Sequence, residues 1–174
     1  IAPTLRIAEL FYTENGLPID EDLTYDFQNR FNTATVGVSQ NYQAQYGATT
    51  AKLNLNREPR FYSSLGFDRG YNRTWGNLWQ LRMKKGESHG RIANSDDYLI
   101  TGYALKKLVH PDSEGDGYNK IVTYAWPMIR LSELYLNYAE AINESMGPNQ
   151  DAYNALNAVR QRAGISSVED AWGN

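Results

Sequence analysis

Apolar residues recur at helical spacing most clearly toward the end of the chain. In "LSELYLNYAEAINES" (131–145), Leu131, Leu134, Tyr135, Tyr138, Ala141 and Ile142 share one stripe, as residues stacked on one face of a helix must. Gly147 and Pro148 break the pattern, and it resumes near Gln150 with Ala152, Leu156, Val159 and Ala163 facing inward. Gly164 supplies the stop, because only a residue without Cβ enters the left-handed region cheaply. The spacing therefore predicts helices over about 131–145 and 150–163, joined as an antiparallel hairpin. The unit spans about one tetratricopeptide period. A single copy cannot bury both its faces, so it requires neighbours.

Upstream the pattern weakens. Leu5, Ala8, Phe11 and Tyr12 form an apolar stripe, and Asn15-Gly16 with Pro18 ends it, which predicts a helix over roughly 4–14. From Asp20 to Asn56 the chain is rich in Asn, Gln, Thr and Gly without clear periodicity, and reads as a long loop with short helical pieces. Turn chemistry around Pro59 leads into Arg60 to Phe67, whose imperfect alternation predicts a strand. Two tryptophans, Trp75 and Trp79, flank Gly76 and Asn77 in what reads as a glycine-loosened loop. Tyr98 to His110 reads as extended and interrupted at Gly102, and Pro111 to Asn119 as a loop. Pro127 turns Trp126 away from helix, so "IVTYAWPMI" is extended as well.

The 174 residues, 41% of them hydrophobic, suit one well-packed domain. A net charge of -3 with dispersed Lys and Arg argues against nucleic-acid binding, which rests on clustered cations. The absence of cysteine excludes disulfides and thiolate chemistry. No apolar run approaches the roughly 20 residues of a membrane helix. Thirteen tyrosines and four tryptophans are the unusual feature, since each joins an apolar face to a polar tip.

Catalytic patterns are sparse. His89 and His110 lack a Glu or His partner at i+3 or i+4, and there is neither a Gly-x-Ser-x-Gly elbow nor a phosphate loop. Asp112, Glu114, Asp116 and Gly117 open like a calcium loop, but Thr123 occupies the position of its closing Glu; a solvated acidic turn is the plainer alternative. Glu133 and Glu140 lie on similar faces of the strong helix, and ion pairs with Arg130, Arg160 or Arg162 suit them better than a glycosidase pair. "GYNRTWGNLWQ" matches a different chemistry. Sugar rings stack a C–H face on flat aromatics while amides and Arg bond the rim hydroxyls. Tyr71, Arg73, Trp75 and Trp79 are the ligand-binding candidates; the alternative is that these aromatics plug the core beneath them.

"FYTENGLPIDED", "NREPRFYSSLGFD", "TGYALKK", "WPMIRLSELYLNYAEAINE" and "ALNAVRQRAGI" occur in this order, and the series resembles the C-terminal part of the SusD/RagB family of outer-membrane nutrient-binding lipoproteins. The resemblance implies a mainly helical fold. Residues 131–165 would be a tetratricopeptide-like hairpin and 1–130 a loop-rich cap with an N-terminal helix and a few short strands. It implies a non-catalytic, cofactor-free protein that captures glycans at the bacterial cell surface and passes them to a SusC-like TonB-dependent transporter. The lipid anchor and the remaining hairpins would belong to an N-terminal half outside these residues. In the family's shared motifs, Arg57, Glu58, Pro59, Arg60, Arg130, Glu133 and Glu140 serve structure. The competing expectations are a tetratricopeptide-type module that binds a peptide or scaffold partner, and a carbohydrate-active hydrolase.

Overall fold

The computed structural model describes residues 2–74, 77–92, 98–108, 110, 112–113 and 121–173. Helix α1 (Leu5–Leu10) starts where the Thr4 hydroxyl accepts the Ile7 N–H at 3.3 Å. Its last residue is Leu10, four residues before the end predicted from the apolar stripe, and the next residue, Phe11, is extended. The reason is a side chain distant in sequence. Arg57 is 1% exposed, and its guanidinium donates to the carbonyls of Ala8 (2.8 Å), Phe11, Tyr12 (3.3 Å) and Leu53 (2.8 Å). Ala8 lies in the last turn of Leu5–Leu10 and Leu53 within the turn Lys52–Asn54, while Phe11 and Tyr12 come just after α1; at a helix end the backbone acceptors have no intrahelical partner and are partially negative. A planar fork of five N–H donors suits such a cage. Burial pulls the Arg57 pKa down, from a value so high that the group stays charged.

Asn56 aims this arginine. It adopts the left-handed region (φ 56°), which Asn tolerates better than most residues, and its carbonyl accepts the Glu14 N–H at 2.9 Å. Thr13 and Arg57 form an antiparallel bridge, and Glu58 N–H donates to Tyr12 O at 3.0 Å. Buried Glu58 accepts the Tyr12 N–H at 2.9 Å and pairs with Arg60. The expected structural roles of Arg57, Glu58 and Arg60 are thus visible as bonds.

The stretch predicted as a strand over Arg60 to Phe67 divides instead. Pro59–Ser64 is helix α2, with Pro59 in its first turn, and only Leu65–Phe67 is strand. Proline's fixed φ suits a helix start, and six residues are too few for periodicity to separate helix from strand. Helix formation places Phe61 fully inside, edge-on to Phe11, Tyr62 and Tyr103. The core gathers Ala8, Ile19, Val36, Leu53, Leu55, Phe61, Leu65, Phe67 and Tyr103 around that ring.

Among the described residues, three two-stranded antiparallel sheets border this core: β1 (Thr33–Thr35) with β2 (Thr49–Ala51), β3 (Leu65–Phe67) with β6 (Tyr103–Leu105), and β4 (Tyr71–Thr74) with β5 (Asn77–Gln80). The supposed loop around the tryptophans is therefore a hairpin.

Helices α3 (Leu131–Met146) and α4 (Gln150–Arg162) form the predicted helical hairpin. Gly147 closes α3, and the Asn149 carboxamide caps α4 by accepting the N–H groups of Asp151 and Ala152. A short α5 (Val168–Trp172) follows, capped by Ser167, whose hydroxyl accepts the Asp170 N–H. Arg160 moors the hairpin to the cap, donating to Gly16 O at 2.8 Å and Ser166 O at 2.7 Å. Gly16 must lack a side chain, since a Cβ would sit 2.6 Å from the Arg160 guanidinium.

Two expectations about α3 need correction. Leu131, Leu134 and Tyr138 are more than half exposed rather than facing core, and only Ala139 and Ile142 of that helix are buried. The covering neighbour that a lone hairpin requires is not within these residues. Glu133 and Glu140 make no ion pair among the described residues, and Arg160, one of their expected partners, is committed to backbone carbonyls.

Two predictions follow from the cap. Arg57→Lys should lower stability by about 2 kcal/mol and Arg57→Met by about 3 kcal/mol or more, because orphaned buried carbonyls each cost about 1–3 kcal/mol. Denaturant midpoints measure this; a lysine variant as stable as the wild type would refute the cage. Asp22 is the second case. Its carboxylate accepts from Thr13 Oγ1 (2.6 Å), Thr24 Oγ1 (2.7 Å), Thr24 N (2.9 Å) and Asn15 Nδ2 (2.9 Å). Burial alone would raise its pKa, but these donors outweigh burial and hold it below the usual range. A depressed folded pKa stabilises the protein above the unfolded value of about 3.9 and loses that stabilisation as pH falls through the folded value. Asp22→Asn should therefore destabilise the protein at neutral pH and flatten the acid limb of a stability-versus-pH curve.

Candidate functional site

The hairpin bearing the aromatic candidates rests on the core through its first residues. Gly70 packs under Phe67, where a Cβ would lie 2.8 Å from the ring. Arg69, at φ 69°, turns the chain, and its N–H donates to Leu81 O at 2.8 Å, while Leu81 N–H returns to Gly70 O at 3.0 Å. The strands pair Tyr71 with Gln80, Asn72 with Trp79, Arg73 with Leu78 and Thr74 with Asn77. Lys106 reaches from the end of β6 and ties the base, donating to Tyr71 O at 3.0 Å and Tyr62 O at 2.7 Å. Burial, then neighbouring Lys107, lowers its pKa, and its bonds to carbonyls hold the hairpin against α2.

Strand alternation separates two of the candidates. Tyr71 and Trp79 occupy successive register positions, so they project from opposite faces of the hairpin. Trp79 is half-buried and stacks on the His89 imidazole, with centroids 5.2 Å apart and planes tilted by 31°. His89 Nδ1 accepts the Arg82 N–H at 3.2 Å and lies 3.0 Å from the Ser88 hydroxyl. The 82–91 loop carrying His89 is closed by Arg69 with Glu87, by Lys84 with Asp68 at 3.7 Å, and by Met83 N–H to Asp68 Oδ1 at 2.9 Å. Burial alone would raise the Glu87 pKa, but the Arg69 guanidinium and the Lys84 N–H together outweigh burial and lower it. Arg73 belongs to β4, while its side chain and Trp75 lie outside the described residues.

The loop before the hairpin flanks the same base. Ala44 bridges Gly70, Gln45 N–H donates to Arg69 O at 3.1 Å, and the side chains of Gln45 and Gln80 hydrogen-bond. Sequence reasoning gave this loop no site residue.

Two clefts lie elsewhere. One of about 570 Å³ has an aliphatic floor including Ile7, Leu10, Leu136 and Val159, and a rim carrying Arg60, Arg130, Arg162 and Lys107. The other, about 540 Å³, includes Glu14, Glu21, Asp22 and Asp170 beside Trp172. Asp22 spends its oxygens on local donors. Among the described residues no three acidic or histidine side chains converge as metal ligands. Of the calcium candidates, Asp112 is 76% exposed and 3.8 Å from His110 Nδ1, while Glu114 and Asp116 lie outside the described residues.

Comparison with known proteins places this architecture. The SusD family model matches residues 1–174. Two structures of BT4246, one of them the selenomethionine protein, are each 34% identical, with TM-scores of 0.75 and 0.74 over 97% of this chain. A SusD-like protein (BF3747) from Bacteroides fragilis NCTC 9343 shares the fold, with 23% identity and a TM-score of 0.61 over 96% of this chain. The chain spans less than a third of each of these proteins, 28% to 29% of their length. No curated protein matches it. A family model that fits every residue, together with a helical hairpin moored to a loop-rich cap, shows that this chain belongs to the SusD family.

Proposed function

We propose that the chain is the C-terminal portion of a non-catalytic, glycan-capturing protein of a bacterial nutrient-uptake system. The observation that carries this reading is the β4–β5 hairpin. It presents Tyr71 and Trp79 from a base fixed by Gly70, Lys106 and the core, so aromatic surface is offered without an entropic cost of ordering. Family membership supports glycan as the ligand class and makes Arg73 and Trp75, the remaining candidates, natural extensions of the surface. Binding without turnover agrees with the ionisable groups around the hairpin: Asp68 and Glu87 are ion-paired, and His89 is stacked with Nδ1 engaged.

In this reading the protein stands at the outer-membrane surface, anchored by lipid through its N-terminal region, and hands oligosaccharide to a SusC-like TonB-dependent transporter. The exposed apolar face of α3 favours polypeptide contact. Within the same proposal its occupant is the N-terminal half of the family fold, rather than a peptide bound by a free-standing tetratricopeptide module.

Trp79→Ala should weaken oligosaccharide binding by about 1–3 kcal/mol, the range for losing a stacking anchor, as read by calorimetry or affinity electrophoresis on the full-length protein. Unchanged affinity in this variant and in Tyr71→Ala would remove the hairpin from the site. Incubation with the same glycans should release no reducing ends; measurable release would overturn the non-catalytic reading.

A further inference from the structure

The larger cleft, of about 570 Å³, has no part in the hairpin's chemistry and carries chemistry of its own. It is lined from α1, α2, α3 and α4. Its floor is open to solvent, with Ile7, Leu10 and Leu136 42–58% exposed. Four cations line it, Arg60, Lys107, Arg130 and Arg162, against one carboxylate, Glu58. That carboxylate is already used, by Arg60 and by the Tyr12 N–H. Lys107, Arg130 and Arg162 make no ion pair and no side-chain hydrogen bond among the described residues. Arg130 stands at the N-cap of α3 without capping it. Like charges gathered at one cleft repel, so the missing element is a counter-charge.

The cleft runs into a bare stretch of chain. From Ile121 to Ile129 the backbone makes no backbone–backbone hydrogen bond among the described residues. Trp126, Met128, Ile129 and Leu131 are 60–86% exposed, and Leu134 and Tyr138 carry the apolar surface on along α3. Apolar surface on this scale marks a site of macromolecular contact. A small anion in the cleft would neutralise the cations and leave the rest uncovered, so a polypeptide fits the whole and a small molecule does not. The chain covers 28% to 29% of the BT4246 and BF3747 proteins. A segment of the same molecule reaches the cleft at an effective concentration of roughly millimolar, without recruiting a second copy.

We propose that an acidic, amphipathic segment of the protein's N-terminal portion docks in this cleft. Its carboxylates pair with Lys107, Arg130 and Arg162, and its apolar side chains cover Ile7, Leu10 and Leu136. The proposal rests on the reading of these residues as the C-terminal portion of a longer protein. It adds to that reading a place of contact and the chemistry of the occupant. The aliphatic floor supplies burial, and the three cations select an acidic segment over a neutral or basic one.

The test is zero-length carbodiimide cross-linking of the full-length protein, with peptide mapping by mass spectrometry. An equal mixture of isotope-labelled and unlabelled protein separates links within one molecule from links between two. Lys107 should be joined, within one molecule, to an Asp or Glu of the N-terminal portion, and Lys107→Arg should abolish that link. Arg130→Glu/Arg162→Glu should lower the urea midpoint of the full-length protein. Arg82→Glu/Lys85→Glu, at exposed positions outside the cleft, should leave it near the wild-type value. Lys107 linked only to carboxylates within residues 1–174, or to none, would overturn the proposal. A link between two molecules would assign the cleft to a second copy and overturn it as well. Equal midpoints in the two double variants would overturn the charge pairing. A protein that shows the intramolecular link and binds no glycan would overturn the glycan-capturing reading and leave this one standing.

Discussion

A guanidinium sealed inside a protein must find acceptors for five N–H groups, and residues 5 to 67 are arranged around that demand. Arg57 meets it with carbonyls instead of a carboxylate, drawing Ala8, Phe11, Tyr12 and Leu53 toward one point. Its Cζ lies over the Phe61 ring, 4.6 Å from the centroid, so the same side chain ends a helix, closes a turn and roofs the aromatic core. The length of α1, the bridge from Thr13 and the left-handed Asn56 all follow from it.

The β4–β5 hairpin, the proposed binding surface, depends on this centre through a short chain of contacts. Phe61 fixes Phe67 in the core, Phe67 leaves room only for Gly70, and Gly70 positions both the hairpin and the loop containing Ala44. Lys106 adds a bond from the β6 side, where charge replaces apolar packing. On the other side Arg160 repeats the Arg57 strategy, using backbone carbonyls to join α4 to the cap. Two buried arginines with carbonyl partners thus set where the rigid parts of the molecule meet.

The helical hairpin was legible in the sequence because its signals are local. A long stripe, a glycine stop and an asparagine cap each act within a few residues. Helix α2 was not legible: six residues beginning with proline satisfy strand alternation about as well as helix. The strands on either side of Trp75, the second of which contains Trp79, were hidden for a related reason, since neither strand exceeds four residues and their partners are set by the packing of Gly70. Ser167 and Asp170, three apart, are the local signal that would have found α5. Of the binding candidates, residue type was readable and placement was not. Nothing in "GYNRTWGNLWQ" says that Tyr71 and Trp79 face apart, or that His89 lies against one of them.

By itself the sequence determined the family, the two long helices, the absence of thiol chemistry and the aromatic, amide-rich character of the cap, because each of these follows from residue identity or from spacing within one element. Tertiary structure decided which arginines are buried, which glutamates lack an ion pair among the described residues, and which tyrosines of the cap are exposed. Those outcomes depend on contacts between residues 40 or more positions apart, such as Arg57 with Ala8 and Tyr103 with Asn54. Chain pattern does not encode such pairings; they are settled when buried donors and acceptors have to find one another.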